Sequence, residues 1–225
     1  MPSMKVSVVI PTLNEEKAID KVLGEFPDDG IDEVIVVDSS TDATPKIAES
    51  LGAKVVFESR KGYGRALQSG VEKARGDVVV YMDGDFTYDP REVERLVDPI
   101  LSGECDVVMG NRLGSKMHPG AMDLVNRVGN TFLSVIFSLV YFRSVNDTQC
   151  GLRAVRKRFL DDLSYKDYGM PYVTEQLIKL TKRGARIRNV PVTYRQRIGT
   201  TKLCAWTDGF KILKVILREL FGEYR

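Results

Sequence analysis

Asp83-Gly84-Asp85 is the part of this 225-residue chain best placed to do chemistry. Two hard carboxylates separated by one residue suit Mg2+ or Mn2+ held jointly with phosphate oxygens. Gly84 removes a side chain between them and lets a bulky group approach the backbone. The same tripeptide also reads as an acidic turn capping a helix that starts near Arg91. Its setting bears on the choice. Val78-Val79-Val80-Tyr81 is apolar and mostly β-branched, which predicts a strand buried on both faces. In an open α/β sheet, ligands sit beyond the carboxyl ends of the strands, so Asp83 and Asp85 are expected at that rim.

The elements that must position this pair alternate. Strands are expected over 5–10, 34–37, 55–57, 78–81 and 106–110. Helices are expected after Asn14, through Leu51, from Lys61 to about Ala74, and over 91–101. Glu15 and Glu16 would lie in the first turn of the first helix, where negative charge suits the dipole. Ser40 or Thr41 could cap the second. This alternation predicts an α/β fold with a mainly parallel sheet flanked by helices. Gly62 and Gly64 superficially suggest a dinucleotide loop. They follow the third strand rather than the first, and the full GxGxxG is absent, so that reading is rejected.

Beyond residue 110 the character changes. Residues 111–120 form a polar loop. Residues 128–142 are uncharged and mostly apolar, short of the roughly 20 residues a bilayer span needs. They are expected to be a buried core helix, with a membrane-interface or partner-facing helix as the alternative. A strand-like segment begins at 148–153. A helix over 172–183 carries Glu175. A strand over 187–194, interrupted by Pro191, is expected at an edge. A basic loop spans 195–202, and 207–221 reads as an amphipathic helix with Phe210, Leu213, Ile216, Leu217, Leu220 and Phe221 on one side.

Composition narrows the function. The single histidine, His118, nearly excludes a His-based zinc site or a catalytic triad. Three scattered cysteines suggest no disulfide framework and fit a reducing cytosol. No signal peptide is legible at the start. The net charge of +2 divides into −8 over residues 1–142 and +10 over 143–225, so the second half either meets an anionic partner or is simply a basic surface.

The ordered set of Ile10-Pro11-Thr12-Leu13-Asn14-Glu15-Glu16, Val37-Asp38-Ser39-Ser40-Thr41-Asp42, Asp83-Gly84-Asp85, Gly110-Asn111-Arg112, Asp147-Thr148-Gln149-Cys150-Gly151 and Arg197-Ile198-Gly199-Thr200-Thr201-Lys202 resembles the family 2 glycosyltransferases of GT-A fold. Within them it is most similar to the dolichyl- or polyprenyl-phosphate mannose and glucose synthases. The resemblance covers nearly the whole chain. It implies a single GT-A domain over 1–225, with a nucleotide-sugar-binding half (1–110) and an acceptor- and membrane-facing half (111–225). It implies that Pro11, Leu13, Asn14 and Glu15 line the nucleoside pocket, with Gly84 beside it, and that Asp38 stands near the base and ribose. Asp83 would lie beside the ribose and sugar, and Asp85 would ligate the metal, with Asp83 a second donor. Arg197 and Lys202 match the basic residues of the family's phosphate-meeting loop. Two departures stand out: Ser39 replaces a usual second aspartate, and Thr201 a usual serine.

The expected reaction moves a hexose from a GDP-mannose- or UDP-glucose-type donor to a polyprenyl or dolichyl phosphate, with inversion. A lipid monophosphate is already largely ionised, since its second pKa is about 6, and is its own nucleophile. Holding two phosphates together demands positive charge, for which Arg112, Arg153, Arg197 and Lys202 are candidates. A hydroxyl acceptor would instead need a carboxylate base. Glu175 could be one, or a solvated helix residue. The other readings are transfer to a soluble acceptor and a non-catalytic nucleotide-sugar-binding protein. Many relatives carry transmembrane helices after this domain, and this chain runs to Arg225 without one. The expected location is therefore the cytoplasmic face of the membrane, held peripherally, with a homodimer or a separate anchor protein as candidate partners and nucleic acid not among them.

Overall fold

The computed structural model describes residues 4–114, 116–200 and 205–220. A seven-stranded sheet runs β3-β2-β1-β4-β6-β5-β7. The strands are β1 (Val6–Thr12), β2 (Glu33–Asp38), β3 (Lys54–Phe57), β4 (Val78–Tyr81), β5 (Val107–Asn111), β6 (Arg153–Arg156) and β7 (Ile187–Pro191). β6 alone is reversed: it pairs antiparallel with both β4 and β5, while the other pairings are parallel. The helices are α1 (Ile19–Gly24), α2 (Thr44–Ser50), α3 (Tyr63–Lys73), α4 (Val93–Leu101), α5 (Leu124–Tyr141), α6 (Tyr172–Lys182) and α7 (Ala205–Leu220). This is the expected mixed, mainly parallel sheet between helices, with Pro191 in an edge strand.

β4 is buried along its whole length because apolar clusters cover both sheet faces. Val79 and Tyr81 face the cluster with α3, α5, α6 and α7. Val78, Val80 and Met82 face the one with α1, α2 and α4. β1 sends its next strand, β2, to one side and pairs with β4 on the other. A crevice therefore opens beyond the carboxyl ends of β1 and β4, where the chain order reverses.

Several local expectations are corrected. Glu15 and Glu16 precede α1, which begins only at Ile19. α2 is held at its start by Asp42, not Ser40 or Thr41: Asp42 Oδ1 accepts from the Thr44 amide at 3.0 Å and from its hydroxyl at 2.5 Å. The turn that enters the helix after Asp85 is capped by Asp89, whose carboxylate accepts from the Arg91 amide at 3.1 Å. Asp83 and Asp85 do not serve that role. Residues 148–152 are loop, and β6 begins at Arg153.

The largest correction concerns α5, which is not a buried core helix. Leu133, Ser134 and Phe137 are its buried residues. Leu124, Val125, Val128, Phe132, Val135, Leu139 and the following Phe142 are all more than half exposed. At 3.6 residues per turn these seven fall within about 100° of arc, opposite the packed side. α7 lies against α5, and the Tyr141 hydroxyl donates to the Ile216 carbonyl at 2.8 Å. Ile212, Val215 and Ile216 form the buried side of α7, whereas Phe210, Leu217 and Leu220, expected to lie on one side with Ile216, are exposed. Phe221 lies outside the described residues.

Candidate active site

Asp85 follows β4 as the strand leaves the core and is buried. Its Oδ1 accepts from the Thr87 amide at 3.0 Å and the Thr87 hydroxyl at 2.5 Å. Its Oδ2 accepts from Arg197 Nη1 at 2.7 Å, and Arg197 Nη2 reaches Glu15 Oε1 at 2.5 Å. Arg197 arrives there because its loop is laced to the acidic turn. The Arg195 amide donates to the Thr87 carbonyl at 2.8 Å, and the Ile198 amide to the Asp85 carbonyl at 3.1 Å. Arg195 anchors the base of the loop on Glu25 and Asp89, each at 2.7 Å. Arg197 Nε is buried without a hydrogen-bond partner. Lys202 lies outside the described residues.

Asp83 is half-buried. Its Oδ1 accepts from the Tyr63 hydroxyl at 2.7 Å. Its other oxygen lies over Gly151, where a Cβ would come within 2.4 Å of it. Burial and then the Asp85 charge push the Asp83 carboxyl up to about 6, while the Tyr63 hydroxyl, Arg112 and Arg197 pull it back. Gly84 does give close approach, but to β1: a Cβ there would meet Thr12 Cγ2 at 2.8 Å.

The nucleoside-side residues gather at the ends of β1 and β2. Pro11 and Thr12 pair with Val37 and Asp38. Leu13 is exposed, and Asn14 takes a left-handed φ of 54°. Asn14 Oδ1 accepts from the Thr41 amide at 2.9 Å, which ties the two loops together. Asp38 is fully buried and accepts from the Thr12 hydroxyl at 2.7 Å and from the Ser40 amide and hydroxyl at 2.9 and 2.6 Å. It therefore organises the loop beside the crevice. Ser39, in the place of the second aspartate, donates to the Glu58 carbonyl at 2.7 Å.

Three expected residues are employed elsewhere. Arg112 is buried in a two-pronged pair with Asp147, at 2.7 and 2.9 Å, and lies over the Tyr194 ring. It reaches the crevice through its charge, which lowers the Asp83 pKa. Arg153 is buried and donates to the carbonyls of Thr148, Cys150 and Val173. That anchors the loop carrying Gly151. Glu175 is neither a solvated residue nor beside the acidic pair. It is fully buried, accepts from the Lys166 and Asp167 amides at 3.0 Å, and pairs with Lys179 at 3.3 Å and Arg218 at 3.6 Å. It closes the turn before α6 and is not positioned as a base.

Among the described residues, no three carboxylates, histidines or cysteines gather into a cage for an ion. Magnesium-type sites that share their ion with substrate phosphates use only one or two carboxylates. Asp83 and Asp85 supply hard oxygens in that number, and the Asp85 charge raises the cost of ionising Asp83. Asp85 Oδ2 already holds a cationic group, the Arg197 guanidinium. The donor set fits a shared divalent cation.

A mixed sheet with an Asp-x-Asp turn at its reversal point defines the GT-A class. Glucosyl-3-phosphoglycerate synthase from Mycobacterium tuberculosis, solved with phosphoglyceric acid, matches with a TM-score of 0.77 at 26% identity, covering 96% of this chain and 80% of that one. The same enzyme solved with Mn2+, uridine diphosphate and glucosyl-3-phosphoglycerate matches at 27% identity and 0.75 over the same shares. A glycosyl transferase family 2 model covers residues 7–164, and the chain belongs to that family. A dolichyl-phosphate hexose transferase of Haloferax volcanii is 37% identical over 220 residues, 97% of this chain and 95% of that protein. The low-salt glycan biosynthesis hexosyltransferase Agl6 of the same organism is 35% identical over 218 residues. The match takes in 94% of this chain and 53% of Agl6, so the chain spans about half of that relative's length.

Proposed function

We propose that this chain moves a hexose from a nucleoside-diphosphate sugar to a polyprenyl or dolichyl phosphate, in one displacement with inversion. The observation that carries the transfer chemistry is the buried Asp85 carboxylate at the β4 terminus, with the Arg197 loop folded onto it. Mg2+ or Mn2+ held by Asp85 and Asp83 would neutralise the departing diphosphate. Pro11, Leu13, Asn14 and Glu15, with the loop that Asp38 orders, flank the nucleoside. Arg197 carries an unpartnered Nε and is the side chain equipped to take up a phosphate oxygen. Lys202 would add charge from the same loop. An ionised phosphate acceptor needs no base, which agrees with Glu175 being committed to its turn.

The choice of a lipid acceptor draws on the exposed stripe of α5. Seven apolar side chains facing water are unfavourable for a free surface, since fully burying each contributes about 1.5–3 kcal/mol. Arg127 in α5, Arg143 just after it, and Lys211 and Lys214 in α7 bring positive charge to the two outer helices, and attraction of such residues to anionic lipid adds to apolar insertion. α5 has 18 residues and is about 27 Å long, so by length and composition it could also span. Its packed side against α7 favours lying on the surface, and the basic residues favour the anionic cytoplasmic leaflet. The name of the Haloferax relative supports the same acceptor.

A soluble phosphorylated acid is the second reading, supported by the phosphoglycerate complexes of the structural neighbour. The test is to incubate the protein with Mn2+ or Mg2+, UDP-glucose or GDP-mannose, and either polyprenyl phosphate or 3-phosphoglycerate. Sugar transfer to the lipid with inverted anomeric configuration, read by NMR, is the expected result. Transfer to the soluble acid alone, or retention of configuration, would overturn it.

A further inference from the structure

The Lys61-Gly62-Tyr63-Gly64-Arg65 segment is not a dinucleotide loop, yet it carries the tyrosine whose hydroxyl meets Asp83. Its glycines are required by neighbours in the chain. A Cβ on Gly62, whose φ is 140°, would stand 2.4 Å from the Tyr168 carbonyl oxygen. One on Gly64 would stand 2.2 Å from Tyr172 Cβ. The Arg65 amide donates to the same Tyr168 carbonyl at 3.1 Å, and its guanidinium lies 3.3 Å from the Tyr168 ring centre. The first turn of α3 is thus pinned tightly to residues 168–172. The side chain between the two glycines reaches across to the end of β4, where its hydroxyl meets Asp83 at 2.7 Å.

We infer that Tyr63 is a positioning residue for the donor site: its hydroxyl fixes the rotamer of Asp83, so that the second carboxylate oxygen is the one presented to the metal-bound nucleotide sugar. Asp83 is held from two sides, by the Tyr63 hydroxyl on Oδ1 and by the bare Cα of Gly151 against Oδ2. Asp85 has a different pair of keepers, Thr87 and Arg197. The two carboxylates are therefore locked independently, and loss of the Tyr63 hydroxyl frees only one. A site must be held to within about half an ångström of its productive geometry, and hydrogen bonds from neighbouring side chains supply that restraint.

The inference rests on the reading of Asp83 and Asp85 as donor-binding carboxylates. Its test is a double-mutant cycle of Tyr63→Phe and Asp83→Asn, read by Mn2+ binding in the presence of UDP or GDP by electron paramagnetic resonance. Y63F is expected to weaken Mn2+ binding about tenfold, with cooperative melting retained. In the D83N background it should change binding less than twofold, because the partner is gone. As a check that needs no phenylalanine variant, 3-fluorotyrosine at position 63 should shift its fluorine resonance when Mg2+ and the nucleotide are added, and not in D83N. If Y63F binds as the wild type does, if it weakens D83N by the full tenfold, or if the fluorine resonance stays still, the role of Tyr63 is overturned. If the wild type fails to bind Mn2+ both in the presence of UDP and in the presence of GDP, the donor-site reading itself fails and takes this inference with it.

Discussion

Arg197 Nη1 stands 2.7 Å from Asp85 Oδ2, on the carboxylate that the family reading gives to a metal ion. One oxygen cannot serve both cations at full strength, so loop and metal compete. Arg197→Ala is predicted to bind Mn2+ more tightly than the wild type when no nucleotide is present, by about tenfold, a difference of roughly 1.4 kcal/mol. With a donor present, the same variant should transfer sugar at least about a hundredfold more slowly, because the phosphate partner is lost. A titration of free Mn2+ by electron paramagnetic resonance decides the first part. Equal or weaker Mn2+ binding by R197A would show that the guanidinium does not hold the metal position.

Asp83 gives a pH signature. Its pKa in the fold, about 6, lies above the ordinary 3.8. Between these values the folded protein keeps a proton that the unfolded chain has released. Stability from this group is therefore greatest below about pH 4, falls as pH rises toward 6, and stays reduced above it. Asp83→Asn removes that loss. Without metal, D83N should be more stable than the wild type at pH 7 to 8 by roughly 1–3 kcal/mol, with the gap closing toward pH 4. Urea unfolding across that range checks it. A gap that widens on acidification would contradict the sign.

The sequence displays the parts of the site that follow directly from a strand. Val78–Tyr81 is an apolar run of strand length, and whatever follows such a strand in an α/β sheet lands at the rim. Partnerships made across long separations are not legible in that way. Arg112 meets Asp147 35 residues away, and nothing local distinguishes it from a phosphate ligand. Glu175 looks like any helical carboxylate until the 166–167 backbone turns back onto it. α5 sets Ser134 and Ser138 on its packed side and its more apolar arc in water, the reverse of the usual amphipathic rule, so its periodicity points to the wrong face. Tyr63 did leave a signal, a single large side chain between two glycines at a helix start, whose meaning depends on where Tyr168 and Tyr172 lie.

The exposed stripe of α5 makes the membrane prediction specific. The wild type should float with liposomes containing anionic lipid at low salt and be partly released as salt rises. Val128→Asp combined with Phe132→Asp places charge on the stripe without touching Leu133 or Phe137 in the packed side. That variant should stay in the soluble fraction and keep its melting temperature. Flotation unchanged by the two aspartates would mean that α5 is not the contacting face.

The central claim is metal-assisted glycosyl transfer through Asp85, and one measurement tests it most directly. Wild type and Asp85→Ala are compared for hexose transfer from UDP-glucose or GDP-mannose to polyprenyl phosphate, with Mn2+ and then with excess chelator. The account predicts glycosylated lipid from the wild type only with metal, and none from D85A although it folds normally. Near-normal turnover by D85A, or by the wild type in excess chelator, would contradict it.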